Sequence, residues 1–157
     1  MTFTINAEPP FKITYSGDCL PSIELLRIGM DSTVLIHEAT FEDEMAEAAA
    51  RKYHSTVSQA IDQGQRMNAK HIILTHFSQR YPAIPRILSP LPANVSIAFD
   101  NMQLVESDLR EMHEMYPTLK RLFSDDWAKM ERLSSGREDP KGDKNKALLS
   151  LLVDKFS

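Results

Sequence analysis

Short apolar runs separated by helical spacing are what most constrain this chain. Val34-Leu35-Ile36 and Ile72-Ile73-Leu74 read as buried strands, and Phe11 to Tyr15 alternates like a third before breaking at Ser16-Gly17-Asp18. Between the Val34 and Ile72 runs, Thr56 and Gln59 stand at capping-box spacing. Val57, Ala60, Ile61, Gly64 and Met67 follow at i, i+3, i+4 intervals, predicting an amphipathic helix that stops near Asn68. Thr40 and Asp43 repeat the capping spacing ahead of the alanine-rich stretch Glu42 to Tyr53, so a further helix is expected immediately behind Glu38, with acidic residues suited to its dipole. Strand, helix, strand in that order favours an α/β layer architecture.

The second half is less regular. Pro82, Pro85, Pro90 and Pro92 impose an extended loop, because each lacks a backbone donor and restricts its predecessor. Val95 to Phe99 resumes as a strand, and a turn at Asp100-Asn101 precedes Met102 to Val105, giving an expected final pair of strands. Leu109, Met112, Met115 and Tyr116 lie at helical spacing up to Pro117, and Thr118 to about Leu133 reads as a second short helix. The methionines read as packing, for which an unbranched side chain is suited. Residues 134–145 form a polar linker before a last amphipathic helix over Lys146 to Phe156. The expected division is a layered unit at 1–108 and a helical extension at 109–157.

Composition removes several function classes. At 157 residues, 42% hydrophobic and 25% charged, the chain belongs with soluble globular proteins. Its formal charge of -4 offers no general attraction for nucleic acid, so an RNA partner would need a local patch or protein outside this sequence. The single Cys19 excludes an internal disulfide and a Cys-x-x-Cys ligand pair. No run of about 18 apolar residues occurs and no leader pattern opens the chain, so neither membrane insertion nor secretion is expected.

Chemistry gathers where the strands end. His76, in Leu74-Thr75-His76-Phe77-Ser78-Gln79-Arg80-Tyr81, follows a buried run with polar neighbours that are costly beside a core strand unless used or solvated. Asp18 stands at the Gly17 turn, where the residues alone leave a backbone cap and a metal carboxylate both open. Glu38 and His54 flank the expected helix. A carboxylate bonded to an imidazole fixes its tautomer and raises its pKa, making a proton relay one reading; charge neutralisation by Glu38 and helix capping by His54 are the other. Arg80 reads equally as a bidentate phosphate clamp or a loop anchor. His71 and His113 read as ordinary surface residues.

Together, Tyr15-Ser16-Gly17-Asp18, Leu35-Ile36-His37-Glu38-Ala39-Thr40, His54-Ser55-Thr56 and the Leu74 to Tyr81 segment resemble the carboxyl-terminal region of long-form tRNase Z, from about Phe11 to Val105. The resemblance implies half of a metallo-β-lactamase-like αβ/βα sandwich with additional carboxyl-terminal helices. It also implies a hydrolase of nucleus or mitochondrion that removes 3′ trailers from precursor tRNA. By the same resemblance Asp18 is a carboxylate bridging two zinc ions and His76 a ligand of one. Glu38 and His54 are the pair serving proton transfer to the leaving oxygen, and Arg80 lies near the substrate phosphate.

The family's His-x-His-x-Asp-His motif and its tRNA-gripping arm do not occur in these residues, and Cys19-Leu20 stands where Thr-Arg often follows Gly-Asp. The expectation is a carboxyl-terminal part of a longer enzyme, with an incomplete zinc complement and little activity alone. Its expected partners are the missing amino-terminal half and, for the isolated chain, a second copy of itself. A different phosphodiesterase of the same superfamily and a non-enzymatic assembly fragment are the competing readings.

Overall fold

The computed structural model describes residues 1–5, 8, 10–78, 90–122 and 128. Five strands form one sheet in the order β1 (Thr2–Ile5), β2 (Phe11–Tyr15), β3 (Val34–Glu38), β4 (His71–Thr75), β5 (Val95–Ile97). The β1–β2 pair is antiparallel; every later pair is parallel. Parallel neighbours need crossovers. Helix α1 (Ile23–Gly29) supplies the first, with the Ser22 hydroxyl accepting from the Leu25 N–H at 3.2 Å. Helices α2 (Ala46–Arg51) and α3 (Val57–Arg66) occupy the second, and α4 (Met115–Leu122) follows β5 after 3-10 turns at Glu106–Arg110 and Met112–Glu114.

Side-chain alternation sends Leu35, Ile72, Leu74, Val95 and Ile97 to one face. There they pack with Leu25 of α1, Val57 and Ala60 of α3, Met67 and Tyr116. Leu35, Ile72 and Leu74 are fully buried, each contributing about 1.5–3 kcal/mol over an exposed position. On the other face Val34 and Ile73 meet Leu109 and Met112, with Phe11, Ile36 and Met102 at the margin. The register pairs Phe3 with Ile13 and Ile5 with Phe11, extending that second face toward β1, where Phe3, Ile5 and Tyr15 are exposed. Among the described residues nothing covers this end of the sheet.

Four of the expected strands, β2 to β5, and α3 are present, and the Thr56–Gln59 box is made in both directions. Four differences have physical causes. Thr40 does not cap a helix: its hydroxyl goes to Glu38 at 2.6 Å, and Asp43 accepts instead from Ser58, so the chain enters α2 through a 3-10 turn at Asp43–Met45. Met102 to Val105 is no strand, because the ladder ends with β5 and the chain enters the 3-10 turn at Glu106. Pro117 does not stop a helix but sits in the first turn of α4, where a backbone N–H has no intrahelical acceptor. β1 and α1 add to the sheet and its cover beyond what the sequence predicts. The loop prolines at 82 and 85, the linker and the final helix lie outside the described residues.

Gly64 sets how closely α3 approaches the sheet. A Cβ there would lie 2.5 Å from Ile72 Cδ1 and 3.1 Å from Leu35 Cδ2, both on fully buried side chains. Gly64→Ala is expected to lower stability by about 1 kcal/mol, overpacking of about 1–3 kcal/mol exceeding a helix-propensity gain of about 1. Urea unfolding checks it; a stabilised variant would show that α3 can move outward without loss.

Candidate metal and proton-transfer site

Parallel strands point their carboxyl ends to the same edge, and side chains in the loops beyond that edge converge. The exits of β2, β3 and β4 bring Asp18, Glu38 with Thr40, and His76. The start of α3 returns to the same edge and is tied there by a bridge between Phe41 and Thr56. Gly17 has φ +63, and a Cβ at Gly17 would meet nothing within 4 Å. Glycine is therefore used for its left-handed backbone rather than for a close approach.

The Glu38 carboxylate, 1% exposed, organises the cluster. Oε1 accepts from the Cys19 N–H at 3.0 Å, the Ser55 N–H at 3.0 Å and His54 Nδ1 at 2.9 Å. Oε2 accepts from the Thr40 N–H at 3.1 Å and the Thr40 hydroxyl at 2.6 Å. Burial by itself would push this carboxyl up; the hydrogen bonds from Thr40, Cys19 and His54 outweigh it and hold the group below the ordinary carboxylate value. Glu38 is thus an anion fixed by donors, and Ser55 closes the cage by donating to the Cys19 carbonyl at 2.7 Å.

Two histidines are placed by left-handed backbone. Tyr53, at φ 60, ends α2 with its N–H on the Ala50 carbonyl at 3.2 Å, and the His54 N–H reaches Ala49 at 3.0 Å. This is the two-bond helix ending usually built on glycine, and it turns His54 toward Glu38. His76 itself has φ 58. Such conformations cost on the order of 1–3 kcal/mol for a non-glycine residue and concentrate at functional sites. Thr40 holds this one, its hydroxyl 2.8 Å from His76 Nδ1 and its carbonyl accepting from Ser78 N–H at 3.2 Å.

The rings of His54 and His76 stack with centroids 5.5 Å apart, and Asp18 Oδ1 lies 3.5 Å from His76 Nδ1. One donor atom from each of Asp18, His54 and His76 falls within 4.8 Å of the others. Two imidazoles and a carboxylate suit zinc, which takes nitrogen and oxygen donors in fours, or in threes with water. Three donors can serve one ion; they cannot enclose two. The side chains of Asp18 and His76 are 60% and 50% exposed, leaving the cluster open on one side.

Of the residues singled out from sequence, Asp18, Glu38, His54 and His76 meet here, and Arg80 lies outside the described residues. His37 faces away: its Nδ1 donates to the Glu38 carbonyl at 2.6 Å, and its buried Nε2 has no partner among the described residues. Thr40, Ser55 and the Cys19 amide were not expected in the site. Thr40 carried a signal, a hydroxyl two residues from a carboxylate, but its spacing to Asp43 favoured a cap.

No protein-family model matches the chain. It is 52% identical over 134 residues to ribonuclease Z, mitochondrial, of Drosophila melanogaster, covering 85% of this chain and 17% of that protein. It is 48% identical over 120 residues to zinc phosphodiesterase ELAC protein 2 of Homo sapiens, covering 76% and 14% respectively. The crystal structure of a long form RNase Z from yeast superposes with a TM-score of 0.70 at 37% identity, over 84% of this chain and 18% of that one. The short form of human tRNase Z gives 0.51 at 31% identity, over 64% and 36%. The chain thus spans about a sixth of the length of the Drosophila relative.

The sheet and its covering helices match part of a metallo-β-lactamase-like αβ/βα sandwich, with Asp18, His54 and His76 grouped so that they could hold a metal ion. The chain matches the ribonuclease Z family, a family of hydrolases, over a part of its members' length.

Two outcomes follow from the cage. Because Glu38 is held below its ordinary value, the folded state binds fewer protons than the unfolded state near the carboxylate range. Its contribution is complete above that range and is lost as pH falls through the lowered value. Glu38→Gln should cost about 3 kcal/mol at neutral pH, with the gap to the parent closing toward acid pH in urea titrations; a pH-independent gap would contradict the cage. Tyr53→Gly relieves the left-handed penalty and should raise stability by about 1 kcal/mol, read as a higher urea midpoint.

Proposed function

We propose that this chain is the carboxyl-terminal part of a zinc-dependent endoribonuclease that removes the 3′ trailer from precursor tRNA. The observation that carries the reading is the Glu38–His54 hydrogen bond standing beside the Asp18 and His76 donors, in a chain 52% identical to a ribonuclease Z. In this reading Asp18 and His76 would be among the residues that hold the zinc ions, and Arg80 would contact the substrate phosphate. Further ligands, and the surface that grips tRNA, belong to an amino-terminal half. When bound, zinc supplies Lewis acidity toward water and the phosphate oxygens.

The residues present do the proton work. His54 donates its Nδ1–H to Glu38, which leaves Nε2 as the position that takes up and delivers a proton. Glu38, ionised and buried, stabilises the imidazolium until that proton passes to the departing 3′ oxygen. The product is a tRNA with a free 3′ hydroxyl. The names of two relatives, in Drosophila melanogaster and Arabidopsis thaliana, carry the word mitochondrial, and a mitochondrial or nuclear site of action fits this chain. Among the described residues no helix is long and apolar enough to cross a membrane.

The exposed apolar end of the sheet, with Phe3, Ile5 and Tyr15, is where the amino-terminal half would be buried. Without it, two copies of the chain bury the face against each other, so light scattering should show a mass that rises with concentration.

Complementation tests the function. The chain alone should hold at most one zinc after dialysis and process no precursor tRNA, whereas mixing it with the amino-terminal half and zinc should restore two ions and 3′ cleavage. Asp18→Ala and His76→Ala should abolish the restored reaction with loss of metal. His54→Ala should keep the metal and slow cleavage by about 10²–10⁴-fold, the usual worth of a positioned acid. Two tightly held zinc ions on the isolated chain, or full activity of the reassembled His54→Ala pair, would overturn the assignments.

A further inference from the structure

We propose that Thr40 is a positioning residue whose single hydroxyl proton fixes the tautomer of His76, just as Glu38 fixes that of His54 directly, so that both imidazoles carry a bare Nε2. This deepens the functional reading above and rests on it only for the use made of those nitrogens.

The argument is a proton inventory. A threonine hydroxyl has one proton to give and lone pairs to receive others. Thr40 Oγ1 lies 2.6 Å from Glu38 Oε2, 2.8 Å from His76 Nδ1 and 3.2 Å from His54 Nδ1. Glu38 is an ionised carboxylate and can only accept, and 2.6 Å is the length of an O–H···O⁻ bond. The one proton is therefore committed to Glu38. Toward His76 the oxygen can then only accept, which requires a proton on His76 Nδ1 and leaves Nε2 with its lone pair free.

His54 is settled without Thr40, since its Nδ1 meets Glu38 Oε1 at 2.9 Å, again an acceptor that cannot donate. Its 3.2 Å approach to Thr40 is the longer branch of the same donation. Asp18 Oδ1, 3.5 Å from His76 Nδ1, is too far for a strong hydrogen bond, and its side chain is 60% exposed. One buried carboxylate thus orients two rings, one by contact and one through a hydroxyl. Threonine serves where valine would not, although the two have nearly the same shape.

The measurement is the imidazole ¹⁵N–¹H correlation spectrum of the full 157-residue chain, recorded where both histidines are neutral, for the parent, Thr40→Val and Thr40→Ser. Expected in the parent is the Nδ1–H pattern for His54 and His76. In Thr40→Val, His76 should move to mixed or Nε2–H tautomers while His54 keeps its own. Thr40→Ser should restore the parent pattern. Zinc added to the chain should bind about tenfold more weakly to Thr40→Val than to the parent or the serine variant, the usual cost of losing an outer partner of a ligating histidine.

An Nε2–H pattern for His76 in the parent overturns the proposal at once, and needs no variant to fold. An unchanged His76 tautomer in a folded Thr40→Val overturns it too, as does failure of Thr40→Ser to restore what valine removes. Neither readout involves RNA, so a failure of precursor tRNA processing with these tautomers in place would count against the functional reading alone.

Discussion

A buried carboxylate satisfied by hydrogen bonds is the constraint on which the rest of this site depends. Taking a carboxylate out of water costs several kcal/mol unless partners replace the hydration. Glu38 is provided with such partners by three separate stretches of chain, Cys19 after β2, Thr40 after β3, and His54 with Ser55 ahead of α3, and a fourth, His76 after β4, joins through Thr40. None could donate unless the strands ran parallel and in this order. The charge therefore makes four loops into one object, and most of its donors are neutral dipoles. They stabilise the anion without cancelling it, which leaves the edge electrically suited to imidazolium or a divalent cation.

Strain marks the same edge. Gly17, Tyr53 and His76 all take left-handed backbone within or beside the cluster. Only Gly17 is a residue for which that conformation costs little. Tyr53 is tolerated because helix α2 needs an ending there, and His76 because Thr40 holds both its ring and the backbone that follows. The sheet and the α3 cover, with Leu35, Ile72 and Leu74 fully buried, provide the rigidity against which such conformations persist.

The contrast between two threonines explains how far the site could be read in advance. Thr56 and Gln59 make the expected reciprocal cap, the Thr56 side chain also meeting Asp43. Thr40 stands at the same spacing from Asp43, yet its hydroxyl is captured by Glu38 two residues upstream, a charge-assisted bond that outweighs a neutral helix-end N–H. Asp43 is likewise taken by Ser58. Capping-box spacing alone does not say when a buried carboxylate takes the hydroxyl first. The strands β2, β3, β4 and β5 were legible because burial of one face or both leaves a period that no distant contact can erase. β1 escaped, though Thr2-Phe3-Thr4-Ile5 alternates, because an exposed edge strand has no turn signal of its own beyond the prolines that follow it. Pro117 misled for the opposite reason, being read as a stop when a first helical turn accepts it.

The open side of the donor cluster and the uncovered end of the sheet bear on each other. Asp18 lies three residues beyond Tyr15, so in the proposed reading a polypeptide that buries Tyr15 extends toward Asp18. In the proposed reading that neighbour brings the remaining ligands. Binding of the two halves and completion of the metal centre then become one event. Apolar burial supplies the affinity, because it acts over a whole face, and the ligands supply register, because coordination tolerates only small displacements. A half that docked one strand position out of place would still bury apolar area but would turn its ligands away from the edge. Metal occupancy therefore reports correct docking more sharply than association does.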